Sequence, residues 1–485
     1  MNLNGAFKRE TGYDMSIWDS WKMYIDLWKS WYQGKVKEFH SYTVYNGIKD
    51  VKRERMSLQL GKFISEKMSD LLYNEHVKIN LGDVESTNKL KEILDYNNFR
   101  ILMNRGIEKS FAFGTGCVLI NLDNIKVNNT NEIDYSKSKI KMSFVPAECI
   151  FPLSWDCTGI KELAIVEFAK EPNGKALCTI STHKLNSLGN YEISNCKFRI
   201  SDKGELLDDN NIYIKKIDTK SDIKWFTLLQ PNICNNIDIN SPFGISIFAN
   251  SIDVLKGIDF IYDNLINELQ LGRKRLFTTK ELLRFNTTTG TQELNFDPND
   301  IVFHVLGDGF SSDDKPKDYI QEINGQLRID EHIKALNSAL RLLGDKTGFG
   351  SDYFAFKEKQ FAPKTATEVI AENTELFRTV QKHEQVLEQN LKDIIKAIAY
   401  IGRFTNTYNI NDTNITIDFD DSIVESKSQE RNEDRQDLAQ DVMSRVDYIV
   451  KWHNVDRQTA ISKIDEIDNE KPANEGIYFN QGDSD

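Results

Sequence analysis

Between Gly244 and Leu269 the residues Phe248, Ile252, Leu255, Asp259, Tyr262, Ile266 and Leu269 recur at alternating steps of four and three. This stripe limits the possible folds more than any other feature. A straight helix patterned in this way buries one narrow seam against neighbouring helices, either in an ordinary bundle or between identical subunits of a ring. Two later segments repeat the pattern. Residues 326 to 343 carry Leu327, Ile329, Ile333, Leu336, Leu340 and Leu343, and are expected to end at Gly344. A longer run opens at Thr365 and continues through Val380, Leu387, Leu391, Ile394, Ile398 and Ile401. Along the first of these helices Asp253, Asp259, Asp263 and Glu268 add carboxylates. On pattern alone they read as a solvated face.

The rest of the chain alternates between helical and strand signals. Trp18, Trp21, Ile25, Trp28 and Trp31 share one helical face, opposite Asp19, Lys22, Asp26 and Lys29, which reads as an aromatic core stripe. Helices are expected over 57 to 73 and 87 to 113, the second closing on Gly114-Thr-Gly116. From there to residue 230 short β-branched runs (117–122, 140–145, 163–169, 177–182, 212–214) are separated by turn formers such as Pro172-Asn-Gly174. Short strands recur between the first two heptad helices, and Ile415-Thr-Ile-Asp-Phe-Asp420 is expected to join the earlier sheet. Without βαβ alternation, a mostly antiparallel α+β fold is expected rather than a doubly wound sheet. A charged helix from 427, with Leu438, Val442, Val446 and Ile449 as its apolar side, and a second from Asp456 close the chain. The tail from Lys471 has little to bury.

Composition excludes several functions. The net charge of −13 opposes a protein that grips nucleic acid by neutralising phosphates. Its six cysteines form no C-x-x-C pair, so neither a zinc ribbon nor a redox motif is present. No run of about 18 apolar residues suits a membrane span, and cytoplasmic synthesis is expected. Gly344-Asp-Lys-Thr347 lacks the G-x-x-x-x-G-K-[ST] loop, and His383-Glu384 lacks the second histidine of H-E-x-x-H. Asp418, Asp420 and Asp421 suit a divalent cation or simply a charged strand end. The last helix carries Asp465, Glu466, Asp468 and Glu470, which would face phosphates badly in a helix-turn-helix. No catalytic site, cofactor or metal site is expected.

Taken in order, Trp31-Tyr-Gln-Gly34 with Phe39-His-Ser-Tyr42, Pro231-Asn-Ile-Cys-Asn-Asn236, Ser241-Pro-Phe-Gly244 with its helix, Gly272-Arg-Lys-Arg275 and Lys364-Thr-Ala-Thr-Glu-Val369 resemble the portal proteins of tailed bacteriophages, particularly those infecting Gram-positive bacteria. The resemblance covers most of the chain. It implies a wing (1–240), a first stem helix (241–272), a clip (273–325), a second stem helix (326–344), a tunnel loop (345–364), a long wing helix with closing strand (365–421), and a crown with its tail (422–485). It also implies a homo-oligomeric ring, usually a dodecamer, at one capsid vertex of the virion. Double-stranded DNA would pass through it during packaging and ejection. The terminase large subunit, the major capsid protein with scaffold, and a head-to-tail connector protein would be its partners, with no membrane. By position, Asp253, Asp259, Asp263 and Glu268 would line the channel, while Lys346, Phe349, Tyr353, Phe354, Lys357, Lys359 and Phe361 would face DNA from the tunnel loop. Arg273, Lys274, Arg275, Glu281, Arg284, Asp297 and Asp300 would form the docking surface of the clip. Another non-enzymatic head or connector protein is the alternative, but it would lack paired stem helices around a small insertion.

Overall fold

The computed structural model describes residues 2–45, 49–127, 133–135, 137–170, 174, 176–201, 204–208, 216–271, 275–278, 284–286, 291–293, 303–305, 320–323, 327–356, 366–419, 427–453, 455 and 457–470. These fall into two compact units, one of residues 1–360 with 378–419, the other of 361–377 with 420–485. Helices and antiparallel sheets mix in the first unit, as the α+β reading expects.

Its largest sheet is a meander in chain order. Strands Ile150–Asp156, Gly159–Lys170, Ala176–Leu185, Tyr191–Ile200 and Leu206–Asp208 pair successively, and Lys216–Asp218 also pairs with Tyr191–Ile200. Alternation turns Ala164, Val166, Cys178, Ile180 and Phe198 to one face, where Ala6 and Phe7 of helix Leu3–Thr11 cover them. A second sheet orders Phe226–Leu229, Gly116–Asp123 and Lys139–Pro146, with helix Phe99–Phe113 packed on it. The tryptophan stripe is core, as expected. Helix Asp19–Tyr32 buries Trp21, Ile25, Trp28 and Trp31, and Trp21 stacks on Phe243 with ring centroids 5.7 Å apart.

Three expectations about elements of this unit are corrected, and a fourth falls outside the described residues. The run from 87 to 113 is two helices, Val84–Tyr96 and Phe99–Phe113, because Asn98 takes a left-handed conformation (φ 47°) that asparagine tolerates. Asn97 stabilises the break by donating to the Ile93 and Ile140 carbonyls and accepting from Met142 N. The strand Thr416–Asp418 does not join the earlier sheets; it pairs with Lys78–Asn80. The returning helix runs Ile329–Thr347 and is capped by Gly348 (φ 77°) rather than ending at Gly344. Gly344 is needed for another reason: a Cβ there would collide with the Gly350 carbonyl. The strand expected at 212–214 lies outside the described residues.

In the second unit the charged helix expected from 427 is likewise two, Lys427–Ala439 and Arg445–His453. Ser444 starts the latter by accepting from Asp447 N, and Val442, expected on an apolar side, is 73% exposed. Polar contacts tie this unit together. Asp434 accepts from Trp452 Nε1 (2.7 Å) and Lys451 Nζ (2.7 Å), and the Tyr448 hydroxyl accepts from Arg431 and Arg435. Helix Arg457–Glu470 follows.

Candidate functional site

The heptad stripe resolves into a 3-10 turn, Ala249–Ser251, and a helix, Ile252–Leu271, which packs against the returning helix Ile329–Thr347. Leu255, Ile258, Leu336, Leu340 and Leu343 are buried between or beneath the pair. Between these helices lie short strands. Arg275–Thr278 pairs antiparallel with Ile320–Ile323 and parallel with Phe303–Val305, and Arg284–Asn286 pairs with Thr291–Glu293. Arg275 and Arg284 therefore open strands of the insertion. Arg273, Lys274, Glu281, Asp297 and Asp300 lie outside the described residues.

The loop that feeds the first helix is pinned by backbone contact. Gly114, the left-handed cap of helix Phe99–Phe113, lies against Gly244 so closely that a Cβ on either would strike the other's carbonyl. Thr115 Oγ1 accepts from Gly244 N (3.0 Å), and Ile247 N donates to the Phe111 carbonyl (2.9 Å). Phe243 inserts beside Trp18 and Trp21. This explains why Ser241-Pro-Phe-Gly244 stands out in the sequence. Gly244→Ala is expected to cost about 2 kcal/mol or more through backbone displacement, read as a lowered midpoint of urea unfolding.

The four carboxylates of the first helix have different fates. Asp253 is open, its side chain 93% exposed beside Lys256. Asp259 is buried: Oδ1 accepts from Leu58 N (2.8 Å) and Oδ2 from His40 Nε2 (3.0 Å). A carboxylate can only accept, so Nε2 carries the proton given to Asp259, while Nδ1 lies 2.9 Å from Val36 N and 3.2 Å from the Val36 carbonyl. Asp263, also buried, accepts from Met56 N and Asn267 Nδ2 (both 3.1 Å). The expectation that Asp259 and Asp263 line a channel is thus corrected. Both carboxylates turn into the subunit, where they tie the helix to the segment 55–59. Arg55 adds to the tie. Its guanidinium lies 4.4 Å from the Phe39 ring centroid, 4.6 Å from that of Tyr42 and 5.7 Å from that of Phe260, and donates to the Phe39 carbonyl.

Glu268 closes the far end of the helix pair. It accepts from Arg328 N (2.9 Å), Arg328 Nε and Nη2 (3.2 and 3.0 Å) and His332 Nε2 (2.8 Å). The Arg328 side-chain hydrogen bonds, with its backbone N–H and His332, hold the Glu268 carboxyl down to about 2. The two chain ends of the insertion are fastened there.

Residues 349 to 354, just after the returning helix, form an aromatic knot. Phe349 is buried, with ring centroids 4.8 Å from Tyr353 and 5.0 Å from Phe354, which in turn lies 5.9 Å from Phe63. Phe349, expected to face DNA, is core. Lys346 is helical and donates to the Asn250 carbonyl (3.3 Å). Lys357, Lys359 and Phe361 lie outside the described residues. His40, Arg55, Arg328 and His332 were given no role from sequence. One signal was available for the first of them: an aspartate on a heptad seam implies a buried polar partner.

Among the described residues no group of three or more histidine, cysteine or acidic side chains is arranged to hold a metal ion. No helix among them is long and apolar enough to cross a membrane. Burial pushes the thiols of Cys149 and Cys178 up to about 11 and that of Cys117 higher still, as suits reduced structural cysteines.

A helix pair flanking a small β insertion, on a helical and β base, is the arrangement of a phage portal protein. Residues 16–474 match the family described as phage portal protein, SPP1 Gp6-like, and the chain belongs to that family. The family is structural and in general non-enzymatic. Among solved structures one similar chain comes from "Neck of native GTA particle computed with C12 symmetry", at 8% identity and a TM-score of 0.35, covering 80% of this chain and 88% of that one. No curated protein sequence matches the chain.

Proposed function

We propose that this portal protein acts as a ring of identical subunits at one capsid vertex of the virion. Double-stranded DNA is packaged through its channel and later ejected through it. The observation that carries this reading is the apolar surface left on the two stem helices. Phe260, Leu269, Ile333 and Leu342 are 51%, 41%, 39% and 48% exposed in the single chain. Within each helix the two lie nine residues apart, on opposite sides, and both sides are covered when like subunits stand on either hand around an axis. Asp253, open on the first helix, and the net charge of −13 per copy make an acidic channel. Such a wall offers phosphates no deep wells, so a duplex slides without pausing at each register. In this reading the residues from 273 to 325 dock the terminase large subunit and then the head-to-tail connector protein. The outer body meets the major capsid protein and scaffold, and Lys357 and Lys359 give the passing strand weak contacts.

The test is native mass measurement of the purified protein together with negative-stain images. A ring of about twelve subunits with a central channel is expected. A compact dimer without a channel would overturn the reading.

A further inference from the structure

A groove of about 370 Å³ that shares no residue with the stem helices opens beside the strand Lys78–Asn80, between helix Val84–Tyr96 and the first turn of Phe99–Phe113. Four consecutive residues, Val77 to Asn80, border it. Successive strand side chains point to opposite faces, whereas the groove is bordered by Lys78, Ile79 and Asn80 in succession and by none of Thr416–Asp418, which puts it along the strand's unpaired edge. The other edge is taken by Thr416–Asp418, and among the described residues no third strand pairs with Lys78–Asn80. Open edges of this kind are the usual template for strand addition.

The groove's charge runs against that of the chain. Lys78, Lys91 and Arg100 line it, with Asp95 as the single carboxylate, although the protein carries a net charge of −13. Neighbouring Lys89 pairs with Glu85 at 2.7 Å, whereas these three cations make no ion pair among the described residues. Leu90 and Phe99, 1% and 3% exposed, form an apolar floor. Open main chain, uncommitted cations and a buried floor are therefore found together.

We propose that this groove binds an extended acidic peptide of a partner protein as a third strand. The peptide's backbone pairs along Val77 to Asn80, its carboxylates meet Lys78, Lys91 and Arg100, and one apolar side chain covers Leu90 and Phe99. Nucleic acid fits less well, because its phosphates could meet the three cations but it has no amides to continue a β ladder along the open strand edge. The site does not depend on ring formation.

The experiment uses the full-length protein and a fluorescein-labelled heptapeptide, Asp-Glu-Val-Phe-Val-Glu-Asp, followed by anisotropy at low salt. Saturable binding is expected, weakened at least about tenfold by the Lys78→Glu, Lys91→Glu, Arg100→Glu triple variant. Alternate N-methylation of the peptide, which leaves its charges intact, is expected to weaken binding by a similar factor of about ten. Circular dichroism checks that the triple variant is folded, and the milder Lys78→Gln, Lys91→Gln pair is expected to weaken binding severalfold. The proposal is overturned if the heptapeptide does not bind, if its N-methylated form or a Lys-for-acid counterpart binds equally well, or if the triple variant is folded and binds unchanged. Tighter binding of a duplex oligonucleotide through the same three residues would also overturn it. Because the assay reads peptide binding at any oligomeric state, its failure and the failure of ring assembly are separate results.

Discussion

Asp259→Ala is expected to lower the stability of the unit that holds it by about 2 to 5 kcal/mol, at about 1 to 3 kcal/mol for each buried donor left without an acceptor. The substitution leaves the Leu58 N–H and the His40 Nε2–H without an acceptor in a site from which water is excluded. Asp259→Asn is expected to be nearly as damaging although it is almost the same shape. One amide oxygen can still serve Leu58, but the NH2 group then faces the His40 N–H. Exchanging tautomers would let Nδ1–H reach the Val36 carbonyl (3.2 Å), but it would take away the acceptor of the Val36 N–H, so the cost is moved and not removed. His40→Ala should cost less than the aspartate change, since Asp259 keeps the Leu58 bond. Urea unfolding of the two single variants and the double variant checks this as a double-mutant cycle. A coupling energy near zero would show that the pair does not act as a unit.

Acid should destabilise the same unit well above the carboxylate range. His183 and His383 are buried, and burial brings each imidazole down to about 4; Lys382 adds to the effect at His383. His183 has no hydrogen-bond partner among the described residues, and His383 Nδ1 accepts from Asn232 N, a bond that protonation would abolish. Between about pH 6.5 and pH 4 the unfolded chain therefore binds more protons than the folded one. Stability rises with pH through that window, and it is lost as pH falls from 6.5 toward 4. At pH 5 the loss should be about 2 kcal/mol for each histidine. Urea midpoints at pH 7 and pH 5 measure it, and His183→Leu should remove its share of the difference. An unchanged midpoint in the wild type would refute the argument.

Periodicity made the long elements legible. The 39-residue helix Ala366–Phe404 and the paired helices Ile252–Leu271 and Ile329–Thr347 follow from their four-and-three spacing, and the meander follows from short β-branched runs between turns. What could not be read depends on contacts between distant residues. Nothing in Ile417 and its neighbours names Lys78–Asn80 as their partner, since register across hundreds of residues is set by the fold and not by local pattern. Asn97-Asn98 looks like ordinary helix until the Ile140 carbonyl and Met142 N are placed beside it. Gly344 is a short-range case: it resembles a helix stop, but the chain turns back at Gly350, six residues on, and packs against it. For the site, periodicity located the packed helix pair but not the direction in which its carboxylates turn. Phe349, grouped by proximity with the lysines after it, is instead core, with the rings of Tyr353 and Phe354 packed against it.

The Glu268 and Arg328 contact joins residues sixty positions apart. The insertion therefore leaves and re-enters the body through one doorway. An excursion whose two ends are already held together adds a closure cost that grows only with the logarithm of its length. Evolution can lengthen, shorten or replace such a module while the frame on either side keeps its packing. The doorway, and not the module's contents, is the part of this region that the remaining architecture requires to stay fixed.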